Sequence, residues 1–315
     1  MILITGGMGF IGLHTARALL DRGEEAVLTQ FSARREPSFL KDEMGRRVNV
    51  ASLNVVDGAA VREAVLNCRA TGIVHLAFPG LESRSPGDDY RVAMLGWLNV
   101  LEAATAAGVR RVTLASSNAV YGGVPAGPFE EEMTLPVGSR NVIEAFKKAK
   151  ETTGLHYADR TGLDVVCMRI SAVFGPAYHS MRNLPSRLTH AAVRGTRPDL
   201  GSVFGAAPLA DDASDLCYVK DCAAAIALLQ TAETLPGRIY NVGSGQATSN
   251  AELAAAVNAA VPGARLGLPP GRNAQAKANN YMDLSRIRHD VGYEPRYDIE
   301  RGIAEYAEWL RHNSE

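Results

Sequence analysis

No stretch of the chain approaches the ~20 consecutive apolar residues a membrane-spanning helix needs, so a helical membrane protein is excluded. Charge of one sign is lacking as well. Lys and Arg number 33 against 34 Asp and Glu, a formal net charge of −1, so no electrostatic argument favours nucleic acid or an anionic membrane as a partner. Cysteine is scarce, and Cys68, Cys167, Cys217 and Cys222 lack metal-ligand spacing; they read as reduced thiols of a cytoplasmic protein. A signal peptide finds no room ahead of a strand that begins at residue 2. No second His or carboxylate falls at ligand spacing from His179, so no metal is expected. Internal repeats and low-complexity segments are absent. What remains is an ordinary globular composition, 46% hydrophobic and 21% charged. Its 315 residues suffice for one large α/β domain, or a cofactor domain with a smaller partner.

The chain opens on its strongest signal, Met1-Ile-Leu-Ile-Thr-Gly-Gly-Met-Gly-Phe-Ile-Gly12. Ile2 to Ile4 form the short apolar run of a parallel strand covered on both faces. Gly6, Gly9 and Gly12 follow at three-residue spacing, and helical apolar periodicity runs from Phe10 to Leu20. Strand, glycine turn and helix in that order suit a dinucleotide pyrophosphate. The glycines allow close backbone approach, and Phe10 and Ile11 at the helix start offer free N–H groups.

Strands expected at 26–29, 48–53, 72–77, 111–116 and 165–170 alternate with helices at about 96–107 and 141–160, the first closed by Gly108. This alternation implies an α/β fold with a doubly wound parallel sheet. Pro, Gly and Arg scatter through 176–215, after which helices are expected at 221–231, 249–260 and 298–311 and a strand at 238–242. The expected organisation is a dinucleotide-binding domain over 1–175. Residues 176–315 form mainly a smaller substrate-binding lobe, interleaved with late elements of the sheet.

Further motifs follow in a fixed order: His75-Leu-Ala77, Asn99-Val-Leu-Glu-Ala103, Ser116-Ser-Asn-Ala-Val-Tyr-Gly122, Arg169 with Val173-Phe-Gly-Pro176, Tyr218-Val-Lys-Asp221 and Tyr240-Asn-Val-Gly-Ser-Gly245. With the glycine turn, they resemble the extended short-chain dehydrogenase/reductases, the family of NAD-dependent epimerases and dehydratases. The likeness runs from the first strand to Trp309. It implies a Rossmann sheet, an NAD or NADP cofactor, hydride transfer at a hydroxyl or carbonyl carbon of a sugar or similar polar molecule, and a homodimer. The dimer would form through helices carrying Met94, Leu95, Trp97, Leu98 and Leu101 and Val142, Ile143, Phe146 and Ala149.

The resemblance implies a catalytic set of Ser or Thr, Tyr and Lys, in which a tuned phenol exchanges the proton. Ser117 matches the serine and Lys150 the lysine, but the position four residues earlier holds Phe146, which has no proton to exchange. Three readings stay open: a Tyr→Phe variant, a chain using Tyr121, Tyr178 or His179 instead, or a silent NAD(P)-binding sensor or scaffold. For the cofactor, the likeness points to Gly6, Gly9, Gly12, Leu76, Ala77 and Asn99, with Asn54 and Val55 at the adenine end and Lys150 holding the nicotinamide ribose. Where NAD enzymes usually carry an acid after the second strand, this chain has Gln30. With Ser32, Arg34 and Arg35 nearby, a 2′-phosphate would be tolerated and NADP is slightly favoured. Asn118, Tyr178, His179, Arg182, Asn183 and Arg272 are the candidate substrate contacts.

Overall fold

In a computed structural model the described residues are 1–31, 38–78, 85–201 and 206–313. Strand β1 (Ile2–Thr5) is buried at every position, as its uninterrupted apolar run requires. It leads into α1 (Phe10–Asp21), β2 (Ala26–Gln30), β3 (Val48–Ser52), α2 (Gly58–Asn67), β4 (Gly72–His75) and α3 (Pro86–Ala106). Next come β5 (Arg111–Ala115), α4 (Val142–Thr161), β6 (Asp164–Ile170), β7 (Ala172–Phe174), α5 (Leu184–Arg194), β8 (Ala213–Ser214) and β9 (Leu216–Tyr218). The chain finishes through α6 (Val219–Thr231), β10 (Ile239–Val242), β11 (Thr248–Ser249), α7 (Asn250–Ala260), α8 (Ser285–Val291) and α9 (Ile299–His312).

Seven parallel strands form one sheet in the order β3-β2-β1-β4-β5-β6-β10. The order turns back between β1 and β4, and the crevice beyond the strand ends there is the natural ligand site of a doubly wound sheet. One apolar layer packs Leu13, Leu19 and Leu20 of α1 with Ile226 and Leu229 of α6 against Ile4, Val74 and Val166. The opposite layer packs Val61 and Val65 of α2 and Trp97 and Leu101 of α3 against Leu3, Ile73 and Leu114. A third cluster stands apart, built from Phe174, Leu188, Tyr218, Leu253, Val257, Ile303 and Tyr306. The last strand of the sheet, β10, therefore belongs to the late part of the chain, after the segments that begin the third cluster.

Two helices depart from the sequence expectation. Helix α3 starts at Pro86, ten residues before Gly96, with Ser85 accepting from the Asp88 N–H and Asp88 and Asp89 in its first turn. Helix α5 lies inside the stretch read as irregular. Asn183 caps it, Pro185 falls in its first turn, and Gly195 ends it at φ 63°.

Candidate active site

The glycine turn is shaped by steric contact on one side and left open on the other. Gly6 has φ +68°, and a Cβ on it would lie 2.9 Å from the Ala77 nitrogen. A Cβ on Gly12 would lie 2.4 Å from the Gly7 carbonyl oxygen, so α1 can leave β1 at this angle only if residue 12 has no side chain. Gly9 differs, because a Cβ there meets only the Gly6 oxygen, at 3.0 Å. Gly9 is also the N-cap of α1 and provides no side-chain cap, so the first-turn N–H groups at Phe10 and Ile11 are left to an anion. This is a cradle that a pyrophosphate fits.

The Leu76 N–H donates to the Thr5 carbonyl, and the Ala77 N–H reaches Thr5 Oγ1 at 3.4 Å, which draws this segment against the turn. Gln30 ends β2 half-buried. Ser32, Arg34 and Arg35 lie outside the described residues. Asn54 accepts the Val56 N–H in a tight turn after β3. Asn99 needs correction as a cofactor contact. Its Nδ2 donates to the carbonyls of Val55 and Val56 at 2.9 and 3.0 Å, so its amide clamps the loop that carries Asn54 and Val55.

Helix α4 joins parallel strands β5 and β6, so it runs antiparallel to them and its first turns stand over the C-terminal edge of the sheet. Ser117, just past β5, accepts the Ala119 N–H through Oγ and donates to Asn118 Oδ1 at 3.2 Å. Below it, Arg169 of β6 and Glu151 form a buried ion pair at 2.9 Å, and Ser116 Oγ also donates to Glu151. That pair fixes which way α4 faces.

With this orientation, Lys150 is only 2% exposed and its Nζ meets His75 Nε2 at 3.3 Å, beneath the cleft floor. Lys147 lies one turn closer to the sheet edge, about 4.5 Å along the helix axis. Its Nζ donates to the Ala115 carbonyl at 2.5 Å, two residues before Ser117, and stands 4.8 Å from the Phe78 ring centre. Of the two lysines, Lys147 is the one placed at the rim; sequence reasoning selected Lys150 because Phe146 precedes it by four. The corresponding position before Lys147 is Ile143. Phe146 itself is 1% exposed and packs edge-on against Tyr90 at 4.6 Å between centroids. Neither position supplies a hydroxyl. Burial lowers the lysine pKa values, to about 8 for Lys147 and about 7 for Lys150, the latter pushed further by the charge of Lys147.

On the substrate side the candidates separate. Tyr178 packs edge-on against Phe10 at 5.0 Å, and His179 and Arg182 are exposed beside it. Asn183 has a structural part, since its Oδ1 caps Ser186 and its Nδ2 donates to the Val173 carbonyl at 2.8 Å; one amide N–H and one oxygen lone pair remain. Arg272 is exposed, and its Nη2 donates to the Lys277 carbonyl. Tyr121 is fully buried among Asn241, Arg169 and the Glu130 carbonyl, and burial raises its pKa to about 12; it braces β6 and cannot replace a surface phenol. Lys277 was not anticipated. It reaches the Tyr121 carbonyl at 2.5 Å, and burial lowers its pKa to about 8. A lone lysine in an irregular segment gives no periodic signal.

A doubly wound sheet with an uncapped glycine turn at its first helix defines a dinucleotide-binding protein of the Rossmann class. The NAD dependent epimerase/dehydratase family model matches residues 2–243, and the chain belongs to that family. It is 29% identical over 326 residues to UDP-glucose 4-epimerase of Mycolicibacterium smegmatis, covering 99% of each chain. It is 26% identical over 331 residues to dTDP-glucose 4,6-dehydratase of an Actinoplanes species, covering 99% of this chain and 98% of the relative. The crystal structure of Thermus thermophilus UDP-glucose 4-epimerase in complex with NAD superposes with a TM-score of 0.81 at 28% identity over 99% of both chains.

Proposed function

We propose that the chain is an NAD-dependent epimerase or dehydratase that binds NAD over the Gly6–Gly12 turn and acts by hydride transfer at a hydroxyl-bearing carbon of a sugar or sugar nucleotide. The observation that carries the reading is the uncapped start of α1 at the point where the sheet order reverses. When bound, the cofactor supplies a reversible hydride acceptor. Gly9, Phe10 and Ile11 hold its pyrophosphate, Leu76 and Ala77 line its path, and Lys147 is placed to reach its nicotinamide ribose. Gln30, Asn54 and Val55 meet the adenosine end, and the Thermus relative solved with NAD favours that cofactor over NADP. Ser117 bonds the reacting substrate oxygen, while Asn118, Tyr178, His179, Arg182 and Arg272 rim the space beyond it.

A chain that binds the cofactor without turnover is the second reading, favoured by the apolar residues at 143 and 146. Fluorescence titration with NAD and NADP, followed by product analysis on UDP-glucose and dTDP-glucose, separates the two. Conversion of either sugar supports the enzyme; tight NAD binding with no conversion supports the silent binder. The same reading includes a cytoplasmic location and a homodimer through α3 and α4, whose outer faces expose Leu95 and Val142; Trp97, Leu101 and Phe146, expected on that surface, are buried within the fold and cannot contribute. A single 33.6 kDa species in sedimentation at micromolar concentration would count against the dimer.

A further inference from the structure

The rim of α4 has lost the phenol yet kept an amine. Lys147 and Lys150 stand one turn apart on the same helix, and among the described residues neither forms an ion pair, although the Glu151 charge raises the Lys147 pKa from a longer distance. Glu151, the carboxylate beside them, is committed to Arg169 and Ser116. Glu144 is committed to Lys148 at 2.7 Å and to the Arg140 N–H. From β4 only His75 faces the pair. It receives Lys150 on Nε2 and contacts Thr5 Oγ1 through Nδ1 at 2.7 Å, and its burial among cations holds it neutral. From α3, Trp97 donates its indole N–H to the Lys150 carbonyl. Phe78 covers both ammonium groups with its ring. Lys147 therefore sits half-buried, held by one backbone carbonyl at the end of β5, with a second cation behind it.

Resting on the reading that this chain transfers hydride, we propose that Lys147 is its general acid–base residue, doing with an amine what a phenol would do. In the forward direction the neutral Lys147 amine takes the proton of the substrate hydroxyl, and a new N–H bond forms as the O–H bond breaks. The electron pair of the neighbouring C–H bond leaves as hydride for the oxidised cofactor, and the carbon becomes a carbonyl. In the reverse direction the ammonium returns the proton to the carbonyl oxygen as hydride comes back to carbon. Ser117 bonds the same oxygen throughout. The depressed pKa of Lys147, about 8, gives it both protonation states near neutral pH.

Lys147→Arg and Lys147→Met separate proton exchange from simple charge, because arginine keeps the cation but does not lose its proton in proteins. Each would be loaded with NAD and assayed on UDP-glucose and dTDP-glucose alongside the unmodified chain. Both should lose about 10²- to 10⁴-fold in turnover, while Lys147→Arg still binds NAD. Turnover by Lys147→Arg within a few-fold of the unmodified chain would overturn the proposal, leaving Lys147 a ribose-holding charge. A second readout needs no turnover. In protein labelled at lysine Cε, the carbon-13 signal that disappears in Lys147→Arg should titrate near pH 8; titration near 10 overturns the proposal. Absence of conversion by the unmodified chain would count against the enzyme reading, and the carbon-13 titration then decides the role of Lys147 separately.

Discussion

The two walls of the cleft are built on opposite principles. On the β1 wall the ligand would meet backbone alone: glycines at 6, 9 and 12 and N–H groups of a helix start without a side-chain cap. On the α4 wall it would meet side chains, with a serine, two lysines and the apolar Ile143 and Phe146. A backbone wall is fixed by sterics and tolerates almost no change. A side-chain wall can exchange one functional group for another while the fold stays the same. The glycine turn of the backbone wall is complete here, while the side-chain wall carries Ile143 and Phe146, neither of which offers a hydroxyl.

The sharpest way to break this contrast is within the backbone wall itself. Gly12→Val should give no folded protein, because its Cβ would sit 2.4 Å from the Gly7 carbonyl; a cooperative thermal transition in that variant would show that the turn can relax. On the other wall, Glu151→Gln strips the buried Arg169 of its counter-charge and should cost about 3–5 kcal/mol, read by urea denaturation. Gly9→Val should cost less stability than Gly12→Val, since a Cβ at 9 meets one backbone oxygen at 3.0 Å where one at 12 would lie 2.4 Å from another. It should nevertheless weaken NAD by more than about tenfold, or ~1.4 kcal/mol, in a fluorescence titration.

The smallest expected effect concerns Lys150. Its folded pKa, about 7, lies below its ordinary value of 10.5. Between those values the unfolded chain binds the extra proton, so stability rises with pH over that window and is lowest, and flat, below it. Relative to Lys150→Met, the unmodified chain should gain about 1 kcal/mol per pH unit above pH 7. Denaturation midpoints at pH 6, 7 and 8 check this, and parallel profiles would show that Lys150 stays protonated in the folded chain across that range.

The same contrast explains what could be read from the sequence. The β1 wall is local: a strand, a turn and a helix start within twelve consecutive residues, so its chemistry was legible before any packing was known. The α4 wall depends on which face of a helix is turned inward. Residues 146 and 150 and residues 143 and 147 have the same spacing, and only the Glu151–Arg169 pair, closed across two elements, decides between them. Asn99 and Asn183 take structural bonds for a related reason. An amide that contacts a ligand and one that ties down backbone carbonyls look identical in one dimension. The early start of α3 and the presence of α5 were legible, since Ser85-Pro86 and Asn183 with Gly195 carry ordinary capping signals.

The position of β10 in the sheet has a consequence for how the chain is made. Strand β6 pairs with β10, and 68 residues separate Ile170 from Ile239. While the ribosome adds those residues, at some 5–20 per second, β6 is an open edge, with Val165 to Ile170 buried in the finished protein but bordered by no strand on that side. Such an edge is a template for pairing with another chain. The third cluster begins to emerge during the same interval, so nascent chains of this protein pass through several seconds in which the sheet is six strands wide and unprotected at one margin.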